Sequence, residues 1–234
     1  VATFLQLCQR VARDSGTVSG DRPTTVVAQT GRLGDIVRWT NDAWNDIQRS
    51  RREWRWMRTE FSGSLANGTQ RYTSTALGIA TRFGDWVCEG EDEARWSLYL
   101  TATGVSDEGP LAFLDWDTFY RTQLRGTPPT SSKPRFFSID DAKQLVFSPI
   151  PDAIYTLRGL YKKSAQTLSV DADTPEMPED FHRLIVFEAL KKLGTFDENS
   201  VQQRAEWANE ARLIKFDLEL EQLPMIGPAC DPIA

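Results

Sequence analysis

Apolar positions recur at helical spacing near both ends of the chain and alternate in its middle. In TFLQLCQRVARDSG, Phe4, Leu7, Cys8 and Val11 share one face behind Thr3, a residue suited to cap a helix, and Gly16 stops the run. The spacing predicts a short amphipathic helix. Residues 17–30, rich in Thr, Val, Gly and Pro, read as a loop or an extended connection. From Arg32 to about Met57 the helical period returns. Leu33, Ile36, Val37, Thr40, Ala43, Trp44, Ile47 and Trp54 drift along one side, while Arg38, Asp42, Asn45, Asp46 and Arg49 occupy much of the other. A helix of about 25 residues would be roughly 38 Å long, so part of it is expected to bend or to project beyond the core.

The middle of the chain changes period. Phe61–Leu65, Arg71–Ala76, Trp86–Cys88 and Trp96–Thr101 are short strand candidates between Gly, Asn and acidic turns. LDWDTFYRTQLRG fits a brief helix around Trp116 to Leu124, with Asp115 as cap and Gly126 as stop, and TPPTSSKP is a loop. PRFFSI, the turn DD, KQLVFSP and AIYTLRGLYKK then read as a strand, a hairpin turn, a strand and a longer strand, forming a small, mostly antiparallel sheet.

Helical order resumes at Pro178. MPEDFHRLIVFEALKKLG carries acids in its first turn and Lys191 and Lys192 in its last, with Gly194 as terminator. A second helix is expected from Ser200, its cap with Gln203 at the capping-box position, to about Leu223. Its stripe runs through Val201, Ala205, Ala208, Ala211, Ile214, Leu218 and Glu221. Trp207, Leu213, Phe216 and Leu220 widen the apolar surface and imply more than one packing partner. PMIGPACDPIA has too many prolines for a helix, yet Met225, Ile226, Cys230 and Ile233 are apolar for a solvated tail. An extended segment against another surface and a disordered remnant both fit.

These elements predict an α+β protein: a helical bundle core built from residues 1–60 and 174–223, an inserted antiparallel β-rich region over 61–173, and an extended tail over 224–234. Short helices at the two ends need one another to cover their apolar faces.

Composition narrows the function. The 234 residues are 40% hydrophobic and 26% charged, fitting a folded protein, and no apolar run approaches the roughly 20 residues of a membrane span. The expectation is a cytoplasmic site of synthesis and no membrane partner. Cys8, Cys88 and Cys230 are spaced for neither a disulfide framework nor a metal site. The single histidine, His182, lies near the start of a packed helix and reads as structural rather than as a catalytic base. The acidic runs Glu89–Glu93 and Asp171–Asp180 lack calcium-loop spacing, and Gly31 and Gly34 lack the strand and lysine of a phosphate cradle. No catalytic group, cofactor or metal is therefore expected.

The net charge of −6 is uneven: residues 1–60 hold ten arginines against seven acids, and residues 174–234 hold six basic groups against twelve acids. The basic excess concentrates in WNDIQRSRREWRWMR, with five arginines and three tryptophans in fifteen residues. Such a mixture can meet phosphates. On one continuous helix, however, Trp44 and Trp54 would stand about 80° apart at roughly 100° per residue, and Trp54 and Trp56 would point in different directions. Asp42, Asp46 and Glu53 also interrupt the positive potential. Packing tryptophans and interface arginines are the favoured expectation, with non-specific proximity to DNA ahead of base recognition.

Taken in order, TFLQLCQRVARDSG, TGRLGDIVRWTNDAWNDIQRSRREWRWMR, KPRFFSIDDAKQLVFSPIPDAIYTLRGLYKK and LSVDADTPEMPEDFHRLIVFEALKKLG with its following helix resemble the adaptor, or head-completion, proteins of tailed bacteriophages. The resemblance covers most of residues 3–223. It implies a virion protein without catalysis, assembled in the bacterial host cytoplasm as a ring, commonly twelvefold, beneath the portal. That ring would dock tail or neck proteins and surround passing double-stranded DNA. Carried onto this chain, it makes Arg49, Arg51, Arg52, Trp54, Arg55, Trp56, Arg58 and Trp207 candidates for a subunit or portal interface. Met225, Ile226, Cys230 and Ile233 become the portal-docking tail. Another neck or stopper protein, or a DNA-binding packaging accessory, is the alternative.

Overall fold

Thr3 caps the first helix by a reciprocal pair. Its Oγ1 accepts from the Gln6 amide at 3.3 Å and its own amide donates to Gln6 Oε1 at 3.1 Å. The computed structural model describes residues 1–16, 22–88, 95–126, 130–196 and 201–223. Helices and strands divide into two units, Val1–Met57 with Ala165–Ala234, and Arg58–Ser164. The protein is α+β, as its alternation of periods predicts.

In the helical unit, α1 (Phe4–Asp14) buries Phe4, Leu7, Cys8, Val11 and Ala12. The long helix α2 spans Gly31–Ser50, 20 residues, or about 30 Å. It therefore stops seven residues before the expected Met57; a separate 3-10 turn covers Arg55–Met57. α4 (His182–Phe196), entered through a 3-10 turn at Glu179–Phe181, packs on α1, on α2 and on α5 (Val201–Gln222). Gly194 does not terminate α4 but lies inside it. A Cβ there would stand 2.9 Å from Arg204 Cγ and 3.1 Å from Trp207 Cζ3, so the glycine lets α5 approach. On α5 the buried positions are Trp207, Ala211 and Leu218, whereas Ala205, Ala208 and Glu221 of the expected stripe are exposed. The expected cap Ser200 lies outside the described residues.

Residues 165–177 bind the helices together without regular structure of their own. The buried Gln48 side chain donates to the Gln166 carbonyl at 2.9 Å and accepts from the Gln166 amide at 2.7 Å, replacing a strand partner for that segment. Farther along, the carbonyls of Asp173 and Asp171 accept from the first-turn amides of Phe4 and Leu5, at 2.7 and 3.3 Å. Asp171 Oδ1 also accepts from the Val26 amide at 2.6 Å. These bonds put residues 165–173 with the helices, although their composition groups them with the strand-rich region.

The second unit contains two sheets rather than the single one expected. In the first, β9 (Tyr155–Lys163) pairs antiparallel with β1 (Arg58–Leu65), β3 (Phe83–Val87) and β4 (Ser97–Leu100), and β5 (Gly109–Pro110) extends β4. In the second, the order is β2 (Arg71–Tyr72), β8 (Leu145–Ser148), β7 (Phe136–Ile139) and β6 (Ala112–Phe113), and β6 joins β7 in parallel. The strand expected over Arg71–Ala76 ends at Tyr72, where a 3-10 turn, Thr75–Leu77, follows. A short helix α3 (Trp116–Phe119) continues into a wider turn through Leu124, and Asp115 caps it by accepting from the Thr118 amide at 3.0 Å. The unit's own core gathers Trp86, Trp96, Leu98, Phe137, Phe147 and Leu157. Trp96 stacks on Phe137 at 4.5 Å and its Nε1 donates to the Val87 carbonyl at 2.7 Å. Its ring lies where a Cβ on Gly159 would fall, 2.7 Å away.

Two substitutions test this packing. Trp44, fully buried, replaced by Ala should lower unfolding free energy by roughly 3–5 kcal/mol in urea titration. Gly159→Val should cost roughly 1–3 kcal/mol by forcing the Trp96 ring aside, with a matching change in tryptophan fluorescence.

Candidate interface surfaces

Ser50 ends α2, and the chain folds back on the helix it has just left. Ser50 Oγ donates to the Ile47 carbonyl at 2.8 Å, and Trp54 Nε1 donates to the same carbonyl at 3.0 Å. Two side chains thus satisfy a last-turn acceptor that a continuing helix would have used itself. Arg51 takes an extended conformation (φ −137°, ψ 144°). In consequence Trp54 and Trp56 do not diverge as on a helix: their rings stack at 4.3 Å with 25° between planes. Trp54 is fully buried and Trp56 half-buried.

The arginines of this stretch separate into different roles. Arg51 Nε meets Glu219 Oε1 at 3.0 Å and Arg55 Nη1 donates to the Glu221 carbonyl at 3.5 Å, so both tie the turn to the end of α5 within one chain. Arg49 and Arg52 are exposed, as is Glu53 between them and Arg55. Arg58 opens β1 opposite Lys162 and belongs to the other unit. Trp207, 8% exposed, lies in the helical core against Gly194. Trp54 and Trp207 therefore act on a neighbour only through the surface they support. The tail residues Met225, Ile226, Cys230 and Ile233 lie outside the described residues.

A second surface lies on α5. The broad apolar character of this helix resolves into two opposed faces: Trp207, Ala211 and Leu218 point inward, while Leu213, Phe216 and Leu220 are 47%, 59% and 64% exposed. Their spacing of three and four residues aligns the latter on one side over two turns. The exposed acids Glu206, Glu210 and Asp217 run along one flank of that stripe.

Groups with reactive potential have structural partners. His182 is buried, and its Nε2 lies 3.0 Å from the Met177 carbonyl. Burial holds its pKa below the ordinary 6.5, against the opposing pull of that carbonyl and of Glu179. Burial likewise pushes the Cys8 thiol up to about 12, well away from a reactive thiolate. Asp173 accepts from the amides of Ser169 and Val170, which hold its carboxyl below the usual range. An open groove of about 820 Å³ lies over β1, β4, β5 and β9, and its charges are paired: Arg158 with Glu108 at 3.4 Å, Arg95 with Glu60 at 3.8 Å. Among the described residues, no group of three His, Cys, Asp or Glu is placed to hold a metal, and no helix is long and apolar enough to cross a membrane. The acidic run Glu89–Glu93 lies outside them.

The buried histidine has a measurable consequence. Because its folded pKa is depressed, stability should be constant above about pH 6.5 and fall as the unfolded chain gains its proton below that. The urea midpoint should hold as the pH is lowered to about 6.5 and drop below it, and His182→Gln should flatten that slope.

Comparison with known families matches residues 2–222 to the one described as SU10 adaptor protein, a family of phage head-to-tail adaptors. No match was found among curated proteins. With nearly the whole chain matched, the protein belongs to this family.

Proposed function

We propose that this member of the SU10 adaptor family forms a homo-oligomeric ring, the twelvefold one common among adaptors, beneath the phage portal, linking the DNA-filled head to the tail and lining part of the DNA conduit. As a phage adaptor it is a virion component; assembly in the host cytoplasm is part of the proposal. The observation that carries it is the match over residues 2–222, which takes in both units rather than one. A structural adaptor family is also one not known for catalysis.

In this proposal the helical unit forms the ring body, and the strand-rich unit faces the next tail or neck component or the exterior. The arginines around Arg49, Arg52 and Arg55, supported by Trp54, Trp56 and Trp207, serve subunit or portal contacts. Residues 224–234 grip the portal through Met225, Ile226, Cys230 and Ile233. A ring repeats one head-to-tail contact until it closes, so contacts of modest individual strength suffice once multiplied. The net charge of −6 suits a conduit, because repulsion lets DNA slide where a basic lining would hold it.

Native mass spectrometry of the chain mixed with its portal should show a ring bound to the portal vertex, with twelve copies expected. Deleting 224–234 should weaken portal capture about tenfold, or ~1.4 kcal/mol, while leaving the melting temperature of the body unchanged. Tight, salt-dependent binding of free duplex with no portal association would replace this proposal by that of a DNA-binding packaging accessory.

A further inference from the structure

Among the described residues, nothing covers the outward face of α5. Leu213, Phe216 and Leu220 form a two-turn apolar stripe about half a turn around the helix from the residues packed on α4. A solvated helix face carries polar residues at such positions, and an apolar stripe rimmed by charge is characteristic of an interface. Resting on the ring proposal above, we propose that this stripe, with Glu206, Glu210 and Asp217 beside it, is the surface on which a second copy of the chain docks through its N-terminal helical region, residues 1–57.

Charge selects that occupant. Residues 1–60 carry ten arginines against seven acids, and Arg10 and Arg49 among them are exposed. They complement the acidic flank of the stripe. Two α5 faces set against each other would instead bring the acids of both copies together, so a two-fold contact through this face is disfavoured. A head-to-tail contact between unlike surfaces is the kind that generates rings. The chain's own segment 224–234 is a poorer occupant: it contains Asp231 and no Lys or Arg to answer the flanking acids. The stripe is also narrow beside the roughly 800 Å² per partner of a standard interface. It fits the apolar centre of a contact whose rim is the flanking charge, strengthened by repetition around the ring.

The test places a photo-crosslinking benzoylphenylalanine at position 216 of the full chain. Light and heavy isotope-labelled copies are mixed and assembled on the portal, and the crosslinked peptides are sequenced. The expected result is mixed light and heavy pairs joining position 216 to peptides within residues 1–57. In parallel, Phe216→Glu should reduce ring yield by tenfold or more, and Phe216→Leu should retain it. Neither change should alter the melting temperature, because Phe216 is 59% exposed. Links to 224–234 of the same copy, to the portal alone, or to the α5 of another copy would overturn the assignment of this face. So would an undiminished ring with Phe216→Glu; in all four cases the ring itself survives. Absence of any ring on the portal would overturn the ring proposal, and this inference with it.

Discussion

A helix apolar on almost every side must be surrounded, and α4 is such a helix. Leu184, Ile185, Val186, Phe187, Ala189, Leu190 and Leu193 are all buried and point around most of its circumference. α1 and α2 from the start of the chain and α5 from its end cover it. The remaining architecture follows from that requirement. Both ends of the chain must converge on one core, so the strands between them are an insertion with a core of their own. Gly194 is kept small to admit α5, and α5, once its inner face is used on α4, has a second apolar face left over.

The connections that close the helical core are polar. Gln48 forms a two-point bond with the backbone of Gln166, and the carbonyls of Asp171 and Asp173 finish the amino end of α1. Segments 165–177 and 22–30 have no regular hydrogen-bonding partner, so buried side-chain amides and carboxylates stand in for one. The acidic run in this region thereby acquires a structural purpose, because Asp171 and Asp173 organise loops.

For an adaptor, two features of the helical unit matter most: the arginine-bearing turn after α2 and the outer face of α5. Arg51 and Arg55 tie the turn to the end of α5 within one chain by reaching Glu219 Oε1 and the Glu221 carbonyl. An exposed ion pair of this kind contributes only about 0–1 kcal/mol, so its effect is to orient the turn more than to stabilise it. The stacked pair of Trp54 and Trp56 gives that turn a rigid base.

Periodicity was enough to locate α1, α4, α5 and the long strand β9, because each writes its pattern within one or two turns or a few alternations. The cap at Thr3, the cap at Asp115 and the breadth of the apolar surface on α5 could be read in the same way. Three features could not. α2 stops at Ser50 because Trp54, four residues on, competes for the Ile47 carbonyl, an event that exists only after the chain has turned. The strands divide into two sheets because Trp96 and Phe137 bring distant segments onto one core. Which face of α5 turns inward was likewise not fixed by spacing: of the expected stripe Ala211 and Leu218 are buried but Ala205, Ala208 and Glu221 are not, and Trp207, set apart from it, is. Gly194 settles it by leaving room beside Trp207. Local pattern depends on neighbours a few residues away, whereas termination, sheet partition and facing depend on groups that meet only in three dimensions.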